Sequence, residues 1–278
     1  MRTTSHATLS MASYVMVTWW EGAPEVVTAE RRQQIVHLVR SSGSVDVSDL
    51  SQRFGVSAMT VRRDLEWLAA QGLVQRTRGG AMAPSSRAEE IPYESKAGLL
   101  APEKQRIGQT AARLVREGDT VLLDSGSTTL HVARALKTLG SVAVVTNDLR
   151  IACELSEEPR IRVITPPGTV RSGLYSLQGP QTVDFLRNFH VDWTFLGADA
   201  IDVETGVTNR TLEEVPVKQA MIEAARGTVL VTDHTKFGQV VFGRVCPLEA
   251  LNVIVSDRAL DRQYRSALQQ AGVRLLLA

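Results

Sequence analysis

Three sets of residues in this chain have types and spacings that could do chemistry. The first is arginine-rich: Ser57 and Thr60 lead into Arg62 and Arg63, and Arg76 and Arg78 follow closely. Arginine can take guanine O6 and N7 with two parallel hydrogen bonds, or grip a backbone phosphate. The second set is the run Asp124-Ser125-Gly126-Ser127-Thr128-Thr129, placed directly after the apolar stretch TVLL. Small hydroxyl residues at a helix start present hydroxyls and unpaired backbone N–H groups, which suits a phosphate group. The run lacks the GxxxxGK spacing and the lysine of the nucleotide P-loop. A plain helix cap would look the same, so the other strand ends matter. They form the third set: Thr146 and Asn147, Asp199, and Asp233 with Lys236 each close an apolar run. The two cysteines, Cys153 and Cys246, and the five histidines show no ligand spacing, so neither a metal nor a cofactor is expected.

The first set needs a compact helical frame. A helix from Glu30 to about Arg40 carries the apolar stripe Ile35, Leu38 and Val39, and Gly43 ends it. A second helix opens at Asp46 or Val47 and runs to Phe54. Gly55 and Val56 turn the chain, and Ser57 caps a third helix that reaches Gly72. Val61, Leu65 and Leu68, spaced i, i+4, i+7, face a small core and leave Thr60, Arg62 and Arg63 toward the other side. Leu73 to Arg76 and the Gly79-Gly80 pair read as a hairpin carrying Arg76 and Arg78. Together these make a winged helix-turn-helix over 30–82. Between Glu30 and Arg87 there are nine arginines against five acids, whereas the remainder is slightly acidic. A basic module on a near-neutral partner suits a phosphate-backbone ligand at one end only.

The other two sets need a sheet. After a linker at 83–100, rich in Pro and Ser, helices alternate with short apolar strands from Glu103 onward. The strands are expected at 120–124, 142–146, 161–165, 193–197, 229–232 and 251–256. This pattern predicts a mostly parallel α/β domain over 101–278, with its chemistry beyond the strand ends. Residues 1–29 hold the apolar run Met11 to Trp20, which is too short to span a bilayer, and read as a poorly ordered extension. No later run approaches a membrane span, so a cytoplasmic protein without a membrane partner is expected.

The words SVDVSDLSQRFGVSAMTVRRDLEWLAAQGLVQRTRGGA closely resemble the DNA-binding domain of the DeoR family of bacterial sugar-metabolism regulators. The second half is similar to the same family's sensor domain through EKQRIGQTAARLVREGDTVLLDSGSTTLHVARAL, VVTND, FLGADAID, VPVKQAMIEAA and VLVTDHTKFG. The resemblance implies a repressor of carbohydrate genes that binds operator DNA and is released by a phosphorylated sugar. A homodimer or homotetramer is expected, because one small helix-turn-helix buries little DNA surface and symmetric sites add affinity. The resemblance also implies a sensor fold like that of ribose-5-phosphate isomerase. On that analogy the 126–129 loop holds the phosphate, while Asp124, Asp199, Glu214 and Lys218 line the sugar side. Two departures stand out. Pro166-Pro167-Gly168 replaces the family's usual Gly-Gly pair, and Leu196 and Ala200 stand where the isomerases carry acids. The rival reading, a sugar-phosphate isomerase or transferase fused to a DNA-binding domain, therefore lacks its acid–base set, and no enzyme activity is expected.

Overall fold

The computed structural model describes residues 23–71, 73–82 and 93–278. Residues 1–22 of the expected extension and 83–92 of the expected linker lie outside them. The N-terminal unit runs α1 (Ala23–Ser42), β1 (Ser44–Asp46), α2 (Val47–Phe54), α3 (Ala58–Ala70), β2 (Gln75–Arg76) and β3 (Gly80–Met82). Helix α1 begins earlier than the Glu30 expected from its apolar stripe. Gly55 closes α2 in the left-handed region at φ 63°, which a side chain would resist, and so sets the tight turn into α3. Ser57 then caps α3, its hydroxyl accepting the Thr60 N–H at 3.1 Å. Ile35, Val39, Leu50, Val61, Leu65 and Leu68 are sealed in one small core, so the i, i+4, i+7 stripe does face inward.

The wing is a three-stranded antiparallel sheet in the order β1-β3-β2. Strand β1 has three residues and no apolar alternation, which is why it was not expected. Gly80 lies so close to β1 that an added Cβ would fall 1.8 Å from the Val45 carbonyl oxygen. Gly80, the second of the Gly-Gly pair, is thus required by backbone approach between strands.

Helix α4 (Tyr93–Gly98) occupies what reads in the sequence as linker, with Tyr93 and Ser95 buried. The second domain follows as α5 (Ala101–Ala112), β4 (Thr120–Leu123), α6 (Ser127–Leu136), β5 (Val142–Thr146), α7 (Leu149–Ser156), β6 (Ile161–Ile164), β7 (Thr169–Val170), β8 (Leu177–Gln178) and α8 (Pro180–Leu186). It continues as β9 (Val191–Leu196), β10 (Ala200–Asp202), β11 (Gly206–Asn209), α9 (Glu214–Glu223), β12 (Ala225–Val231), β13 (Gly243–Cys246), β14 (Val253–Ser256), α10 (Arg262–Gln270) and β15 (Arg274–Leu277).

Seven of these strands form one sheet in the order β15-β14-β12-β9-β4-β5-β6, and every pairing in it is parallel. Both faces are covered, because successive residues of a strand point to opposite sides. Val121 and Leu123 join the core beneath α5, α6 and α7, whereas Leu122 joins the core beneath α8, α9 and α10. Val229 and Val231 divide from Leu230, and Val253 and Val255 from Ile254, in the same way. The six expected strands are all present. The sequence reading missed β15 and a separate antiparallel sheet, β10-β11-β13, whose strands have three or four residues each.

Strand order places the site. From β4 the chain winds outward through β5 and β6, then returns to build β9 on the other side of β4. The carboxyl ends of β4 and β9 are therefore the topological switch point, where an open α/β sheet leaves a crevice.

Candidate functional site

The basic surface of the N-terminal unit comes from α3 and the wing. Arg62 and Arg63 are exposed on the first turns of α3, beside the half-buried Thr60. Ser57 is occupied as cap, with its hydroxyl 3.0 Å from that of Thr60. Arg78 is exposed at the wing tip, but Arg76 donates to the Gly80 carbonyl at 2.7 Å and so braces the wing turn. The buried Asp64 was not foreseen as a site residue. It accepts from Arg31 Nε at 2.6 Å and Arg32 Nε at 2.8 Å, locking α3 to α1. Arg32 also stacks 4.4 Å from the centre of the Trp67 ring.

At the switch point the second domain opens into a cleft of about 540 Å³. Ser125 to Thr129 form one side, around the N-terminus of α6. Asp199, Glu214 and Lys218 form another, with Lys104, His234 and Lys236 near the loop after β12. The polar groups are largely paired. Lys218 is buried and bonds the Asp124 carboxylate, and it also donates to the Gly197 carbonyl at 3.0 Å. The Gly197 N–H donates to Asp124 at 2.9 Å, bridging the two strand ends of the switch point. Asp199 accepts from Lys96 at 3.1 Å and from the Arg210 N–H at 3.1 Å. Glu214 accepts from Arg171 at 3.1 Å and from the Asn209 amide. Two atoms stand apart. Asn209 Oδ1 and Thr232 Oγ1 belong to buried residues lining the cleft and have no hydrogen-bond partner.

The charges follow from this geometry. Burial works to raise the Asp199 carboxyl, yet Lys96, Lys236 and the Arg210 N–H hold it well below the usual carboxylate range. Burial likewise opposes the charge of Lys218, and Asp124 and Glu214 restore it, leaving the ammonium above its ordinary value. Asp233 is held low against burial by Lys236 and Lys104. His234 is raised chiefly by its hydrogen bond to Asp257, at 2.9 Å. The cleft therefore presents firmly ionised groups of both signs.

Residues 31–87 match the DeoR-like helix-turn-helix domain, and residues 100–258 match the DeoR C terminal sensor domain. The chain belongs to the DeoR family. It is 36% identical over 251 residues to the HTH-type transcriptional regulator GlpR of Haloferax volcanii, covering 90% of this chain and 98% of that one. It is 34% identical over 228 residues to the glycerol-3-phosphate regulon repressor of Escherichia coli K12, covering 82% of this chain and 90% of that one. Among solved structures, the ribose 5-phosphate isomerase of Methanocaldococcus jannaschii aligns with 48% of this chain and 53% of its own, at 19% identity and a TM-score of 0.36. Likeness at that level fixes neither fold nor chemistry.

As a DeoR-family member the chain is a DNA-binding transcriptional regulator, and its role is regulatory rather than catalytic, like that of the relatives named. Leu196 and Ala200, one of the two departures noted in the sequence, are fully buried. Among the described residues no helix is long and apolar enough to cross a membrane, and no group of three metal-binding side chains occurs.

The structure gathers Ser125, Gly126, Ser127, Thr128, Thr129, Asp199, Glu214, Lys218 and Lys236 around the cleft. It does not bring Asp124, Thr146 or Asn147 to the cleft wall. Asp124 lies behind Lys218 as its counter-charge. The Thr146 hydroxyl donates to the Leu123 carbonyl, and the Asn147 amide donates to the Leu177 carbonyl, so both hold strand ends together.

The loop also differs from expectation. Asp148 accepts the Ser125 hydroxyl at 2.8 Å and the Gly126 N–H at 3.2 Å, so those two donors are spent on a buried carboxylate. The donors left for a ligand begin at Ser127. Gly126 has an extended backbone that any residue adopts, and its added Cβ would meet only the Thr129 hydroxyl, at 3.3 Å. A glycine is therefore not obligatory at this position.

Sequence reasoning missed Lys96 because it lies in an apparent linker. It missed Asp148 despite a legible signal, since an Asp directly before the run LRIA is an N-cap pattern, and Asp148 does cap α7.

Proposed function

We propose that this regulator represses carbohydrate-metabolism genes and leaves its operator when a phosphorylated sugar fills the cleft. One observation carries the reading: buried, ionised groups of both signs surround a cavity at the switch point, beside the N-terminus of α6. The first N–H groups of a helix lack partners within it and attract an anion. Ser127 and Thr128 hydroxyls, with Lys104 and Lys236 across the cleft, complete a phosphate end. Asp199, Asn209, Glu214 and Lys218 offer donors and acceptors suited to sugar hydroxyls at the other end. The glycerol-3-phosphate regulon repressor among the relatives makes small polyol phosphates the first compounds to try. Arg62, Arg63 and Arg78 would meet DNA, with Thr60 beside them. A homodimer or homotetramer would engage symmetric half-sites, because one small module buries little DNA surface. The unit boundaries we adopt are 30–82 for the DNA-binding module and 101–278 for the sensor.

The test is a thermal-shift screen of polyol, pentose and hexose phosphates, since a bound ligand raises the apparent melting temperature. Hits are then titrated against an operator complex. A sugar phosphate should stabilise the protein and release the DNA, and Thr128→Val should weaken both effects. Stabilisation only by unphosphorylated sugars would reject the reading.

A further inference from the structure

The cleft has a wall that the sensor does not supply. Glu30, Gln33 and Gln34 of α1 and Arg53 of α2 line it together with the α6 loop and Asp199. The spacing explains how one helix serves two purposes. Glu30 and Gln34, four residues apart, face the cleft, while Arg31, Ile35 and Val39 form the neighbouring stripe inside the DNA-binding core, and Val36 and Leu38 touch both. That second stripe is coupled to α3, because Arg31 and Arg32 both hold Asp64.

Helix α4 makes an independent connection. Its Tyr93 is packed in the sensor core, whereas Leu99, just beyond its end, packs on the core of the DNA-binding unit. Within it, Lys96 bonds Asp199 in the cleft, and the neighbouring Ser95 hydroxyl donates to Gln71 at 2.8 Å. Gln71 is the C-cap of α3. One short helix thus touches the candidate sugar-binding carboxylate and the end of the DNA-reading helix.

We propose that the effector is bound by both domains at once, with Gln34 of α1 and Lys96 of α4 as effector-contacting residues. This rests on the reading of the cleft as a sugar-phosphate site. Sugar hydroxyls reaching Asp199 compete with Lys96, and the amide of Gln34 takes the face of the ligand turned away from the sheet. Occupancy then changes the packing of α1 and α4, and α3 shifts with them through Asp64 and Gln71. The coupling is a difference in ligand contacts between two arrangements of the domains, as allostery requires.

The experiment uses the full chain and four probes: inorganic phosphate, glycerol 3-phosphate, ribose 5-phosphate and glucose 6-phosphate. Wild type, Gln34→Ala and Lys96→Met are compared by thermal shift and by release from a labelled operator. The expected result is that one organic probe releases wild type and that each variant needs about tenfold more of it, the loss of one good contact. Stabilisation by inorganic phosphate should be the same in wild type and Gln34→Ala, because Gln34 touches no group of the α6 end; Lys96→Met is left out of this control, since the Lys96 carbonyl accepts from Lys104 and from the Ser127 hydroxyl. Gln34 is exposed on a helix, so its alanine variant keeps the test readable if Lys96→Met melts early. Variants that bind and release as wild type does would overturn the shared site and leave the sensor reading intact. If no organic probe binds wild type, the sensor reading and this inference fall together.

Discussion

At the scale of single residues, two side chains carry separable expectations. Arg63 is exposed on α3 and points away from the Val61, Leu65 and Leu68 core. Its loss should therefore weaken operator binding without unfolding the domain. Arg63→Ala should cost about 1–3 kcal/mol of specific affinity, measured by gel shift against a mismatched operator as control. His234 gives a pH expectation. Its Nδ1 lies 2.9 Å from Asp257, with Asp233 and Glu103 adding negative charge nearby, and the folded protein raises its pKa above the ordinary 6.5. A group raised on folding contributes stability in full below its unfolded value. That contribution disappears as pH climbs through the higher folded value. The melting-temperature advantage of wild type over His234→Gln should accordingly be largest near pH 5.5 and shrink above neutrality. An advantage that grew with pH would mean the pair is held by something other than charge.

At the scale of elements, the wing and the α1–α3 pair decide whether the DNA surface exists at all. Gly80 lets β3 approach β1, and a methyl group there would overlap the Val45 carbonyl oxygen. Gly80→Ala should destabilise the N-terminal unit by about 1–3 kcal/mol, the usual cost of overpacking, and displace Arg78 with the wing. Calorimetry should show an earlier N-terminal transition and an unchanged sensor transition. Asp64 is a stronger case, because it is buried with Arg31 and faces Arg32 as well. Removing it leaves a buried guanidinium without its partner, so Asp64→Ala should cost about 3–5 kcal/mol. Full operator affinity in that variant at 37 °C would show that the ion pairs do not set the position of α3.

At the scale of the whole molecule, the two domains are joined by α4 and by the cleft wall that α1 provides. Any effector that lowers operator affinity must have its own affinity lowered by operator to the same degree. Calorimetric titration of the effector into free protein and into the operator complex should give dissociation constants differing by the factor seen in release, typically about 5–150-fold. Equal constants alongside efficient release would mean that release proceeds by another route, such as a change of oligomeric state.

Local residue order was enough for the helices of the DNA-binding unit, the six main strands and the polar loops at their ends. Each of these rests on periodicity, caps or turn residues within about ten positions, as with Ser57, Gly55 and the run TVLL. Tertiary structure decided what those polar residues face. Asp124, Thr146 and Asn147 sit at strand ends as surely as Ser127 does, yet they are spent on Lys218, Leu123 and Leu177. Lys96 and Gln34 join the cleft only because α4 and α1 pack across the domain boundary. Pairings such as Lys96 with Asp199 and Arg31 with Asp64 span 103 and 33 residues. No local pattern encodes them, because a charged residue reads the same in a sequence whether its partner is water or a buried carboxylate far along the chain.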